Sequence, residues 1–212
     1  MIPAEQIALW ADMLRDISAK GMHYAADVHE QLAFGRVQDV AMEMFGLVTG
    51  LSPEAVESLR TPIFSRPTPL VVGDAAVIDD AGRMLLIRRA DNGMWSMPGG
   101  AIDVGETPAE GVVREALEET GIRCRATTLV GVFDSRFCGA TSSQQLCMFV
   151  FLCEPLEHGA TGDPTLSEEV LDVSWFAEES LPEDLDASHL SRIPEAFRVW
   201  RGDHRAFFDG AD

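Results

Sequence analysis

Apolar residues recur at helical intervals over the first sixty positions and at alternate positions afterwards, and that change of period divides the chain. Ile7, Trp10, Met13, Leu14 and Ile17 make one stripe, and Val37, Val40, Ala41, Met44, Phe45 and Val48 make a second, so two amphipathic helices are predicted. Ser52 followed by Pro53 is a cap and a first-turn proline, which opens a third, short helix. The stretch TPIFSRPTP carries three prolines in nine residues and cannot continue a helix. It reads as a linker between a helical N-terminal extension, residues 1–66, and a second domain, residues 67–212.

In the second domain DAAVIDD and RMLLIRR read as short strands joined by the turn Asp79-Asp80-Ala81-Gly82, a hairpin signal. TLVGVFD, QLCMFVFLCE and VLDVSWF are further strand-like runs, and SRIPEAFRVWRGDHRAFF reads as a closing helix. Strands and helices alternate without regular βαβ spacing. The expectation is an α/β domain with a mixed sheet flanked by helices, not a doubly wound parallel fold.

Composition narrows the function. A chain of 212 residues, 46% hydrophobic, has enough apolar material for a core, and its net charge of −19 speaks against a nonspecific nucleic-acid binder or a membrane-surface protein. An anionic substrate remains compatible, provided a divalent cation holds it. Cys124, Cys138, Cys147 and Cys153 show neither a C-x-x-C nor a zinc spacing and read as free thiols in a reducing compartment. The N-terminal MIPAEQIALWADMLRD has early acidic residues and no long apolar run, so neither a signal peptide nor a membrane span is expected there, and a cytoplasmic protein is.

One helix carries candidate chemistry. Thr107, Pro108 and Glu110 form a capping-box threonine, first-turn proline and third-position glutamate, and Gly121 is placed to end the helix. Between them Val112, Val113, Ala116, Leu117 and Thr120 are expected on one face, with Glu115, Glu118 and Glu119 on the opposite side. A solvated acidic face is the plain reading, with Arg114 pairing Glu110 and Glu118. The helix, however, follows the turn Pro98-Gly99-Gly100, whose backbone can approach phosphates closely, and clustered carboxylates beside it suit a hard cation.

Gly100, Glu106, Arg114, Glu115, Glu118, Glu119, Gly121 and Ile122 match the pattern G-x5-E-x7-R-E-U-x-E-E-x-G-U, with Ala116 as the aliphatic position. In this, and in the preceding GMWSMPGG, the chain resembles the Nudix hydrolases over about residues 67–180. The N-terminal region is similar, more weakly, to the helical extension of Nudix enzymes that act on nucleoside diphosphates linked to another moiety. The resemblance implies the Nudix fold, a mixed β-sheet sandwiched between helices. It also implies Mg²⁺ or Mn²⁺ held by Glu115, Glu118 and Glu119 with a carbonyl of Gly99 or Gly100, to neutralise the diphosphate and activate water. Arg114 and Glu106 would orient these ligands by ion pairing.

Several assignments stay open. The general base could be Glu118, Glu119, or Glu168 or Glu169 of LSEEV, and the late pair could equally supply a metal ligand or simply charge a loop. Arg88, Arg89 and Arg136, the last in the loop DSRFCGATSSQQ, are candidates to hold a terminal phosphate or are plain surface arginines. Trp10, Tyr24, Phe34 and Phe45 could stack a base or fill a core. No proline lies some fifteen residues past the box, where many ADP-ribose pyrophosphatases carry one. The expected substrate is a small-molecule NDP-X compound such as ADP-ribose, CDP-choline or a nucleotide sugar, giving NMP and X-phosphate. The alternatives are a house-cleaning nucleoside triphosphate pyrophosphohydrolase or a nucleotide-sensing module without catalysis. Two apolar stripes on a small helical appendage need a partner surface, so a homodimer is expected.

Overall fold

The computed structural model of the protein describes residues 3–66, 68–139, 145–157, 159, 161–163 and 167–210. Pro67 of the expected linker, Ala140–Gln144 of the candidate loop and Leu166 of LSEEV lie outside the described residues. The chain divides into two compact units, Met1–Thr68 and Pro69–Asp212.

The first unit is an αα-hairpin with two short helical turns after it. Helices α1 (Pro3–Tyr24) and α2 (Val28–Thr49) pack on each other across a tight connection. Asp27 caps α2 by accepting the His29 and Glu30 N–H groups, and Gly50, at φ 69°, ends it in the left-handed conformation. Gly21 on α1 lets the Phe34 ring lie against the helix, since a Cβ there would meet the ring at 2.2 Å. Helix α3 (Pro53–Glu57) is capped by Ser52. The expected linker then differs: Arg60–Phe64 forms one π-helical turn, with Pro62 in the first turn, where a backbone N–H has no intrahelical partner to lose. Ala41, Met42, Val56 and Phe64 are the small core, backed by Leu14, Phe45 and Leu59. Part of the predicted apolar striping faces outward instead, with Trp10 50%, Met13 38%, Ile17 51% and Val40 47% exposed, and Leu47, outside the predicted stripes, is 80% exposed.

Among the described residues the second unit holds eight strands and two α-helices. In chain order these are β1 (Leu70–Val77), β2 (Arg83–Arg89), β3 (Trp95–Ser96), β4 (Gly99–Ala101), α4 (Pro108–Thr120), β5 (Cys124–Asp134), β6 (Leu146–Pro155), β7 (Val170–Ala177), α5 (Arg192–Trp200) and β8 (Phe207–Phe208). A five-stranded mixed sheet runs β4-β1-β6-β5-β8, and a three-stranded antiparallel sheet runs β3-β2-β7. β1 alternates between two cores, as a strand buried on both faces must. Ala75 and Val77 pack with Val112 and Ala116 of α4, whereas Ala76 and Ile78 pack with Ile193, Ala196 and Phe197 of α5. The mixed sheet is thus sandwiched between α4 and α5.

Three local expectations change. The turn at Asp79–Gly82 forms, but β1 and β2 share only the bridge Ile78–Met84 before parting into different sheets, so no hairpin extends from it. The closing helix stops at Trp200. Gly202 takes φ 101°, and Phe207–Phe208 returns as a strand parallel to β5. On α4, Glu119 is buried and Leu117 is 44% exposed, the reverse of the expected faces. Seven residues make almost two whole turns, which brings Glu119 back over Val112 and turns Leu117 outward. No helix among the described residues is long and apolar enough to cross a membrane.

Candidate functional site

The site is built where β4 meets the inner face of α4. Thr107 accepts the Glu110 N–H while Glu110 returns to the Thr107 N–H at 2.8 Å, a complete capping box, with Pro108 in the first turn. Gly121 closes the helix at φ 70°, donating to the Leu117 carbonyl. α4 is therefore fixed at both ends and seats its carboxylates in register with the glycine strand. β4 pairs antiparallel with β1, placing Gly99 opposite Asp74 and Gly100 opposite Gly73.

Both glycines are required by close approach. A Cβ on Gly100 would lie 2.7 Å from the Glu115 carboxylate, and one on Gly99 would lie 2.2 Å from the Gly73 carbonyl oxygen. The Gly99 N–H donates to Glu119 Oε2 at 2.8 Å. Glu119 is 7% exposed. Burial, followed by the negative charges of Glu115 and Glu169, pushes its carboxyl up to about 8 against the partial relief of the Gly99 N–H and Arg89. Glu115 is also raised, mainly by burial, and is opposed by Arg114.

Arg114 organises the outer side of the cluster. Its guanidinium holds Glu106 in a two-pronged pair, Nε to Oε2 at 3.1 Å and Nη2 to Oε1 at 2.8 Å, and reaches Glu115 at 2.9 Å, Glu118 at 3.2 Å and the Ala101 carbonyl at 3.1 Å. Glu110 serves the cap instead of pairing with Arg114. Glu106 also accepts the Asp103 N–H, and its pKa is lowered, first by Arg114.

Glu115 and Glu118 lean onto Arg114 while Glu119 leans onto Gly99, so the three carboxylates do not converge. Among the described residues no three His, Cys, Asp or Glu side chains stand together as a ready metal cage. The donor chemistry nevertheless fits a hard cation. Carboxylate and carbonyl oxygens line the glycine strand, Glu119 is a buried carboxyl whose ionisation burial and its acidic neighbours oppose, and the end of Glu115 already rests against Gly100.

The remaining candidates are scattered. Glu168 and Glu169 are both exposed. The Glu169 carbonyl accepts the Ala90 N–H at 2.8 Å, and its side-chain charge registers at Glu119. Arg89 pairs with Asp91 at 2.7 Å and also acts on Glu119. Arg88 is turned to the Gly93 carbonyl and Asp184, and Arg136 to Asp134 at 2.6 Å. Of the three candidate arginines, Arg89 is therefore the one whose charge reaches Glu119.

Behind the turn stands a group with no mark in the sequence pattern. Arg192 of α5 is 2% exposed and pairs with Asp74 of β1, donating also to the Ser188 carbonyl at 2.7 Å and to Ser188 Oγ at 3.0 Å. Ser188 Oγ donates to Asp186 at 2.7 Å. His189 Nδ1 accepts the Met97 N–H at 3.4 Å, and burial lowers its pKa well below the usual range, so the ring is neutral with its proton on Nε2. An arginine three residues after a serine-histidine pair is the one available signal, and it is too common to single out.

The chain matches the family model for the NUDIX domain over residues 68–196 and the model for a UDP-X-like, N-terminal oligomerisation domain over residues 5–59. It is 36% identical over 132 residues to a MutT-like protein of Streptomyces ambofaciens, covering 62% of this chain and 79% of that one. It is 30% identical over 125 residues to a putative ADP-ribose pyrophosphatase of Bacillus subtilis, covering 59% and 60%. The crystal structure of a UDP-X diphosphatase superposes over 96% of this chain and 97% of that one, with TM-score 0.59 and 25% identity. An ADP-ribose pyrophosphatase from Streptococcus suis superposes over 67% of this chain and 100% of its own, with TM-score 0.57 and 26% identity. Box, fold and both family models coincide on the same two regions, and the chain belongs to the Nudix hydrolases, as a pyrophosphohydrolase with a UDP-X-like N-terminal region.

Proposed function

We propose that the protein hydrolyses the diphosphate bond of a nucleoside diphosphate linked to a second moiety, releasing NMP and X-phosphate in the presence of Mg²⁺ or Mn²⁺. The observation that carries this reading is the likeness to a UDP-X diphosphatase along almost the whole chain, extension included. A triphosphate pyrophosphohydrolase is the second reading, kept by the name of a shorter match in Bacillus subtilis, a putative 8-oxo-dGTP diphosphatase.

In this reading Glu115, Glu118 and Glu119, with a Gly99 or Gly100 carbonyl, hold the cation. When bound, it supplies charge neutralisation at the diphosphate and a more acidic water. Glu115 and Glu118, which rest on Arg114 here, would turn from it to hold the ion, and Arg114, anchored by Glu106 and the Ala101 carbonyl, would keep them beside the glycine strand. Glu119 keeps its place through the Gly99 N–H. Glu169, exposed and close enough for its charge to act on Glu119, is assigned as the base that takes the water's proton. Arg89 exchanges Asp91 for a substrate phosphate, and Arg88 and Arg136, held elsewhere, contribute less.

The extension, residues 1–66, is assigned to self-association through its outward apolar face, making a homodimer. Four free cysteines agree with a cytoplasmic setting.

The deciding experiment is Mg²⁺-dependent hydrolysis of a panel of UDP- and CDP-linked compounds, ADP-ribose, dinucleoside polyphosphates and triphosphates, with products identified and Glu119→Gln as control. NMP with X-phosphate supports the proposal, NMP with pyrophosphate supports the second reading, and nucleotide binding without turnover makes the domain a sensor.

A further inference from the structure

Arg192 is buried to 2% exposure with its charge directed inward at Asp74. A buried ion pair loses so much hydration that an apolar pair of similar volume would hold the layers at least as well, so stability alone is a poor account of it. Its geometry supplies another. One Asp74 oxygen, Oδ2, accepts from Arg192. The other, Oδ1, lies against Gly99, so close that a Cβ there would come within 3.1 Å of it and within 2.8 Å of the Asp74 Cα. The Gly99 N–H is in turn the donor to Glu119.

The rest of the turn is tied to the same elements. Trp95 exchanges backbone hydrogen bonds with Asp184 and Asp186 at 2.9 and 2.8 Å, the Met97 N–H donates to His189, and the Pro98 carbonyl accepts from Ala75 at 2.9 Å. Arg192 is itself locked by the carbonyl and hydroxyl of Ser188.

We propose that Arg192 is a positioning residue for the metal site: by holding Asp74 against Gly99 it sets the plane of the Gly99 peptide, and with it the direction of the glycine carbonyls and of the Glu119 carboxylate. It touches neither substrate nor cation. The proposal rests on the reading of Glu119 and the glycine strand as metal-binding.

The test is a titration of Mn²⁺ without nucleotide, read by the paramagnetic resonance of the free ion, on the wild type and on Arg192→Lys, Arg192→Met, Ser188→Ala and Glu119→Gln. Circular dichroism and melting curves are taken alongside. Arg192→Met is expected to weaken Mn²⁺ binding by at least about tenfold while still folded, Ser188→Ala by about threefold, and Arg192→Lys by an amount between them. In turnover the half-saturating Mg²⁺ concentration should rise by the same factors, with a smaller change in kcat at saturating metal. A lower melting temperature with wild-type Mn²⁺ affinity would show that the pair only holds layers together, and would overturn the proposal. Should Arg192→Met not fold, wild-type affinity in both Arg192→Lys and Ser188→Ala overturns it equally. A wild type that binds no Mn²⁺, or a Glu119→Gln that binds it as well, removes the metal reading itself and the proposal with it, an outcome distinct from the others.

Discussion

Replacing Glu119 by glutamine separates the charge of this side chain from its shape. Glutamine has the same size, and its amide oxygen can keep the 2.8 Å bond from the Gly99 N–H. Only the charge is lost. In the folded protein the carboxyl is lifted from 4.5 to about 8, first by burial and then by Glu115 and Glu169. The folded state therefore binds the proton more tightly than the unfolded state. Its contribution to stability is complete below about pH 4.5 and is lost as pH rises through about 8. At about 1.4 kcal/mol per pH unit, the full span sets a ceiling of about 5 kcal/mol, and solvent reaching the site's open side leaves roughly 2–4 kcal/mol. For a chain of this length that is on the order of 5–15 °C in melting temperature.

The assay is thermal unfolding of wild type and Glu119→Gln at about pH 5, 6.5 and 8.5, each with chelator and with Mg²⁺. With chelator the two should melt together at the lowest pH, and the variant should melt higher at the highest pH. Mg²⁺ should stabilise the wild type at high pH and leave the variant unmoved, while hydrolysis by the variant falls by roughly three orders of magnitude. A variant that is less stable than the wild type at high pH, or one with the same pH slope, would refute the account of Glu119 as a buried carboxyl that is costly to ionise without a cation.

Gly100→Ala places a Cβ 2.7 Å from the Glu115 carboxylate and should raise the Mg²⁺ requirement of hydrolysis about tenfold with little loss of stability, because the flexible end of Glu115 can move away; an unchanged metal titration would contradict this. Leu47→Glu, at a residue 80% exposed, should leave the fold intact yet convert a dimer to a monomer in light scattering, and a retained dimer mass would move the self-association surface elsewhere. Thr107→Ala removes one arm of the α4 capping box and should cost about 1 kcal/mol, seen as a melting temperature lower by roughly 2–4 °C; no shift would mean the cap is redundant.

Where signals were local, they were legible in the chain. The cap, first-turn proline and terminating glycine of α4 stand in consecutive text, and the helix begins and ends where they place it. The runs read as strands all contribute to β1, β2, β5, β6 and β7. Partnership was not local. The turn after β1 looks the same whether the next strand pairs with it or crosses to another sheet, and the partner that β2 takes, β7, lies far along the chain. β4 escaped notice because three residues of Gly-Gly-Ala carry no strand propensity and pair only because β1 offers an edge. The inward turn of Glu119 was available from helical geometry alone, but a carboxylate is expected outside until something inside is known to receive it. Asp74 and Arg192, 118 residues apart, share no pattern that a reading along the chain could join.

The double duty of β1 has a consequence for motion. Because its alternate residues are packed into two separate cores, the strand cannot swing away from one layer without opening the other. β4 is its neighbour, and the glycine turn hangs from both. Amide protons of Ala75–Val77 should therefore exchange with solvent only through opening of the whole domain, and the glycine turn inherits that slow clock, whatever the loops around it do.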